Sequence, residues 1–184
     1  DELRKIREDL KRLATEAREI NKRSDEDIKR LTDDVRRINK ESLERLKKLA
    51  DDLRDALRKV RSKDVKRTLE EIIRRARKLV EDDKRTNRKI IEELKELLDR
   101  NRRINERIAR ELERLLEDLI RKKGRTEAVK ELEEEIRKVK EELKKLNKEI
   151  EDKIRDVERE LRETNKRLED EVRRVEEEVR RATK

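Results

Sequence analysis

INKRSDEDIKRLTDDVRRINKES, residues 20–42, says nearly the same thing twice, as INKRS at 20–24 and INKES at 38–42. Between Ile20 and Ser42 the apolar or small residues fall at Ile20, Ser24, Ile28, Leu31, Val35, Ile38 and Ser42. Those steps of three and four draw one stripe on one helix. The Ser24-Asp25-Glu26-Asp27 run has N-cap chemistry, but the stripe crosses it without losing phase. The stretch therefore reads as unbroken helix, with an asparagine and a serine set twice into a buried face.

The same stripe extends from Leu3 to Val60. Its phase breaks there, because the next apolar residue is Val65, and Ser62-Lys63-Asp64 between them carries capping side chains. A second stripe runs from Val65 to Leu119, and the chain's only glycine, Gly124, stands where a helix C′ residue belongs. Thr126 is placed to cap a third helix, whose stripe runs from Val129 to Val179. The expected architecture is all-α, a single domain over residues 1–184 with helices at about 2–61, 64–123 and 126–183. Loops this short make sequential helices antiparallel, giving an elongated up-down-up three-helix bundle. At 1.5 Å per residue each helix spans about 90 Å.

The interval of the repeat is informative. Leu79, Leu97 and Leu115 are eighteen apart, as are Ile72, Ile90 and Ile108. Eighteen residues in five turns is about 3.6 per turn, the pitch of a straight helix, so the bundle is expected to be nearly unsupercoiled.

Asparagine follows the same interval, in the pairs Asn21 and Asn39, Asn87 and Asn105, and Asn147 and Asn165. Residues at one height on antiparallel neighbours have a nearly constant sum of numbers. Asn21 with Asn105, and Asn39 with Asn87, both give 126; Asn105 with Asn147, and Asn87 with Asn165, both give 252. The six form two layers of three. Ser24 falls level with Asn101, Ser42 with Asp83, and Thr86 with Thr164. The two expected polar layers are Asn21, Ser24, Asn101, Asn105 and Asn147, and Asn39, Ser42, Asp83, Thr86, Asn87, Thr164 and Asn165. A helix slid by one turn would set amide against leucine, so such layers specify register. Replacing Asn21, Asn105 and Asn147 together by leucine should keep or raise stability while loosening register.

Composition removes most chemistry. Charged residues make up 60% of the 184-residue chain, and it has no Phe, Trp, Tyr, Met, Cys, His or Pro. Without Cys and His there is no thiol, imidazole or common zinc ligand. Without aromatics there is no platform for stacking bases. The net charge of +9 is the small difference of 60 basic and 51 acidic side chains, interleaved throughout, so no nucleic-acid interface is expected. No apolar run approaches a membrane span, and there is no targeting signal. Localisation is unassigned beyond a soluble protein, cytoplasmic on recombinant expression. Asp83, the one carboxylate squarely on a stripe, lacks a convergent partner and reads as structural. No catalytic, cofactor-binding or metal residue is expected, and no cofactor.

The eighteen-residue repeat, the Asn/Ser/Thr layers, the Leu/Ile/Val stripes and the minimal loops at Ser62–Asp64 and Gly124–Arg125 resemble de novo designed helical bundles with buried hydrogen-bond networks. The resemblance covers the whole chain. It implies a structural scaffold with no natural enzymatic activity, no required partner and a preferred monomeric state. The filled stripes, local antiparallel contacts and short loops predict a melting point of about 90 °C. The alternative is an interaction module, a homo-oligomer or a subunit of a designed assembly. It rests on a second apolar row of the middle helix, Ile73, Val80, Ile91, Leu98, Ala109, Leu116 and Ile120.

Overall fold

The computed structural model describes residues 2–59 and 63–183. Three helices account for nearly all of them: α1 (Glu2–Lys59), α2 (Lys63–Lys123) and α3 (Glu127–Thr183). α1 runs without interruption through Ser24–Asp27, as its stripe requires. Val60, Arg61 and Ser62, where the sequence puts a helix end and a cap, lie outside the described residues, as does the side chain of Val65.

The connection from α2 to α3 has a specific cause. Gly124 adopts φ +69°, and its N–H donates to the Ile120 carbonyl at 2.9 Å. This left-handed C′ residue ends the helix because a Cβ there would be strained. Two residues on, the Thr126 hydroxyl accepts from the Val129 N–H at 3.4 Å, an N-cap bond to the N3 position. α3 therefore starts at Glu127, one residue beyond the expected boundary, because Thr126 is its cap.

The contacts of the chain gather into two compact units, Asp1–Lys29 with Glu93–Arg155 and Arg30–Glu92 with Asp156–Lys184. Each unit takes one segment from every helix. In the first, Leu10, Leu13 and Ala17 of α1 pack with Ile108, Leu112 and Leu119 of α2 and with Val129, Leu132, Ile136 and Leu143 of α3. In the second, Leu46 packs with Ala76, Val80, Leu168 and Val172. A further cluster there joins Ala50 and Leu53 to Leu69, Ile72, Val175 and Val179. These cores consist of Leu, Ile, Val and Ala alone, so burial of aliphatic surface drives both units.

Side-chain contacts give the helix directions inside each unit. In the first, Asn21 meets Asn105 while Ser24 meets Asn101, so α1 and α2 are antiparallel. In the same unit Arg7 meets Glu131 and Arg18 meets Glu142, so α1 and α3 are parallel. The second unit repeats both relations through Ser42–Asp83, Asn87–Asn39, Arg36–Glu160 and Arg54–Glu178. The topology is up-down-up, a three-helix bundle.

Candidate functional site

The polar layer of the first unit is built around four amides. Asn21, Asn101 and Asn105 are at most 4% exposed, and Asn147 is half-buried. Asn105 Nδ2 donates to Asn21 Oδ1 at 3.3 Å and to Asn147 Oδ1 at 2.6 Å. Asn101 Nδ2 donates to the same two oxygens, at 2.9 and 3.1 Å. Asn21 Nδ2 reaches Asn105 Oδ1 at 3.2 Å and the Ala17 carbonyl at 2.7 Å. The Ser24 hydroxyl donates to Asn101 Oδ1 at 3.1 Å. Every N–H of the three buried amides thus has an acceptor, which buried polar groups require.

The number sums account for Asn21, Asn105 and Asn147, but they place Asn101 beside Ser24 only. In the structure it is the fourth amide, joining α1 to α3 as Asn105 does. Height along a helix does not fix lateral reach. Each Cβ tilts toward its own N-terminus, so side chains on antiparallel neighbours lean in opposite directions and one amide can meet partners a turn away.

The second unit's layer uses the same positions less evenly. Asn39, Ser42, Asp83 and Asn87 are buried, and Thr86, Thr164 and Asn165 are half-buried. Asn87 Nδ2 lies 3.2 Å from each of three acceptors: Asn39 Oδ1, Asn165 Oδ1 and Asp83 Oδ2. The Ser42 hydroxyl donates to Asp83 Oδ1 at 2.8 Å. Asn87 Oδ1 is buried with no partner among the described residues. Burial pushes the Asp83 carboxyl above its ordinary range, against the hydrogen bonds from Ser42 and Asn87. Thr86 and Thr164 do not donate to one another. Each hydroxyl donates to the carbonyl four residues back, Asp82 and Glu160 respectively, because that acceptor lies within its own helical turn.

Outside the layers lies a set of residues the sequence reading did not single out. Arg7–Glu131, Arg18–Glu142, Arg36–Glu160 and Arg54–Glu178 join α1 to α3, and each pair is 124 residues apart. Arg77–Glu176, Lys84–Glu169, Arg102–Glu151 and Glu113–Lys140 join α2 to α3, and each pair of numbers sums to 253. The signal was available: Arg18, Arg36 and Arg54 share the eighteen-residue interval with Glu142, Glu160 and Glu178. The Arg18 hydrogen bond holds Glu142 below its usual range, and Lys140 does the same for Glu113. Exposed pairs of this kind contribute about 0–1 kcal/mol each, so they favour one alignment more than they stabilise the fold.

Among the described residues no group of three or more acidic side chains could hold a metal ion, and no helix is long and apolar enough to cross a membrane. On the apolar row of α2, Val80 is buried and Ile73, Ile91, Leu98, Ala109, Leu116 and Ile120 are half-buried.

No protein-family model and no curated protein matches the chain. Among solved structures it is similar to a protein described as a computationally designed three helix bundle, at 18% identity and a TM-score of 0.59. The similarity covers 98% of this chain and 88% of that one. It agrees with the three-helix bundle read from the contacts.

Proposed function

We propose that the chain is a designed structural scaffold, without natural enzymatic activity, in which buried amide layers and surface ion pairs together specify helix register. The observation that carries this reading is the agreement of two independent systems on one alignment. The amides match α2 to α3 at a constant sum of 252, and the ion pairs match the same two helices at a constant sum of 253. A core of aliphatic side chains alone is tolerant of sliding, since one leucine fills the space of another. An amide moved by one turn loses its partners and costs about 1–3 kcal/mol. The designed character of the similar structure supports the reading, as does a layered core free of aromatics.

The test is a mass measurement joined to a distance measurement. Light scattering should give a single chain of 22.6 kDa. Spin labels at exposed Arg18 and Lys138 should give one narrow distance distribution. It should broaden when the amides of that layer are replaced by leucine. A narrow distribution unchanged by that replacement would remove the register role. A mass at a multiple of the single chain would favour the interaction module, with the α2 row as its contact.

A further inference from the structure

Position 83 is the place where the buried members of the two layers differ. Eighteen residues on, its counterpart is Asn101, whose amide donates to Asn21 and Asn147. An ionised carboxylate has two acceptor oxygens and no hydrogen to give. Asn39 Oδ1 and Asn165 Oδ1 therefore both depend on Asn87, whose Nδ2 also lies within reach of Asp83 Oδ2. Three acceptors compete for two hydrogens, while the buried Asn87 Oδ1 has no donor among the described residues. Position 83 gives this layer no hydrogen, whereas Asn101 gives two to the first layer.

We propose that the second layer is a single-proton site centred on Asp83, and that taking up a proton there strengthens the unit that contains it. A solvated proton adds to Oδ2 and converts the carboxylate to a carboxylic acid, with no other bond made or broken. Asn87 is then free to give one hydrogen each to Asn39 and Asn165. The new O–H adds one donor to a layer in which the Asn87 oxygen has none. Solvent has access, because an open pocket of about 310 Å³ between α1 and α2 reaches Ser42 and Asp83.

The charged groups around the site are identifiable. Arg45 of α1 and Arg75, Lys78 and Asp82 of α2 line that pocket. Arg75 is engaged by Glu71, and Lys84, next to Asp83 in the chain, is held by Glu169 of α3. The carboxylate's own hydrogen bonds come from Ser42 and Asn87, both neutral. Burial raises the folded-state titration of Asp83. A group raised in the folded state stabilises it below its unfolded titration, and this contribution is lost as pH rises through the folded one. Glu113 and Glu142, lowered by their ion pairs, act in the opposite sense.

The test uses the full chain. The Asp83 carboxyl resonance, assigned by its loss in Asp83→Asn, should titrate above the ordinary aspartate range. A midpoint at or below that range overturns the proposal and means that Arg45 or Lys78 neutralises the carboxylate. Asp83→Asn should also unfold at higher guanidinium concentration than the parent at neutral pH. Its advantage should shrink on acidification, by about tenfold in the ratio of folding constants for each unit separating the folded and unfolded midpoints. An advantage independent of pH, or a variant weaker than the parent at neutral pH, overturns it. Asn101→Asp should install the same pH response in the first layer. Its absence there would show that a missing donor is not the cause.

Discussion

Replacing Asn21, Asn105 and Asn147 together by leucine tests the polar layer most severely, and the structure adds a cost that spacing alone does not show. Three amides in a closed ring could be removed as a set with little loss. Asn101, however, is 1% exposed and gives both its hydrogens to the layer, one to Asn21 and one to Asn147. The triple variant removes both acceptors and leaves a buried amide unpaired, at about 1–3 kcal/mol. Adding Asn101→Leu removes that orphan and buries a fourth leucine, worth about 1.5–3 kcal/mol. Overpacking takes back about 1–3 kcal/mol. At mid-range values the quadruple variant should therefore exceed the triple by about 2 kcal/mol, and by roughly 5 kcal/mol if the fourth leucine fits well. Ser24 is not stranded by the change, since its hydroxyl can turn to the carbonyl four residues back. Guanidinium unfolding followed by helical ellipticity gives the comparison, as a shift in midpoint at constant slope. Asn101→Leu alone is the control, because Asn105 still serves both Asn21 and Asn147. A triple variant as stable as the quadruple one would refute the four-amide account.

Gly124→Ala should cost about 1 kcal/mol through backbone strain alone, since φ is +69° and an added Cβ meets nothing within 4 Å. Thermal unfolding would show this as a fall of roughly 2–4 °C, and no fall would place the turn outside the left-handed region. Leu112→Ala, at a side chain 0% exposed, should lose about 2–5 kcal/mol in denaturant. A loss under 1 kcal/mol would mean that the first unit's core collapses around the cavity. In a double-mutant cycle, Arg18 and Glu142 should couple by less than about 1 kcal/mol, and less in high salt. Glu142 is held below its usual range, so its contribution is present above the unfolded titration and lost as pH falls through the folded one. Coupling that survives below that range would show the pair is not ionic.

The three helices, their directions and most members of the layers were legible because one interval governs the sequence. A repeat of eighteen returns to the same face of a helix after five turns, so a height match found once is found again. The cap at Thr126 and the stop at Gly124 were legible for a different reason, since each needs one residue type for one backbone geometry. Asn101 was legible as a member of the first layer, but its bonds to Asn21 and Asn147 were not, because number sums carry height and discard the opposite lean of side chains on antiparallel helices.

The ion pairs were legible in principle, and they show how a surface of 60 basic and 51 acidic side chains can still be specific. The full set of Arg and Glu of α1 and α3 at a fixed difference of 124 aligns in one register only. Sliding α3 by one turn would change all of these partners together. A shifted bundle would thus lose the exposed pairs, each small, along with the amides, each large when orphaned. Asp83 breaks this repetition at a buried position, and its effect follows from chemistry that spacing does not register. Carboxamide and carboxylate have nearly one shape, so the stripe, the sums and the packing are the same for both. What differs is two hydrogens, which Asn101 gives to Asn21 and Asn147 and an ionised Asp83 cannot give.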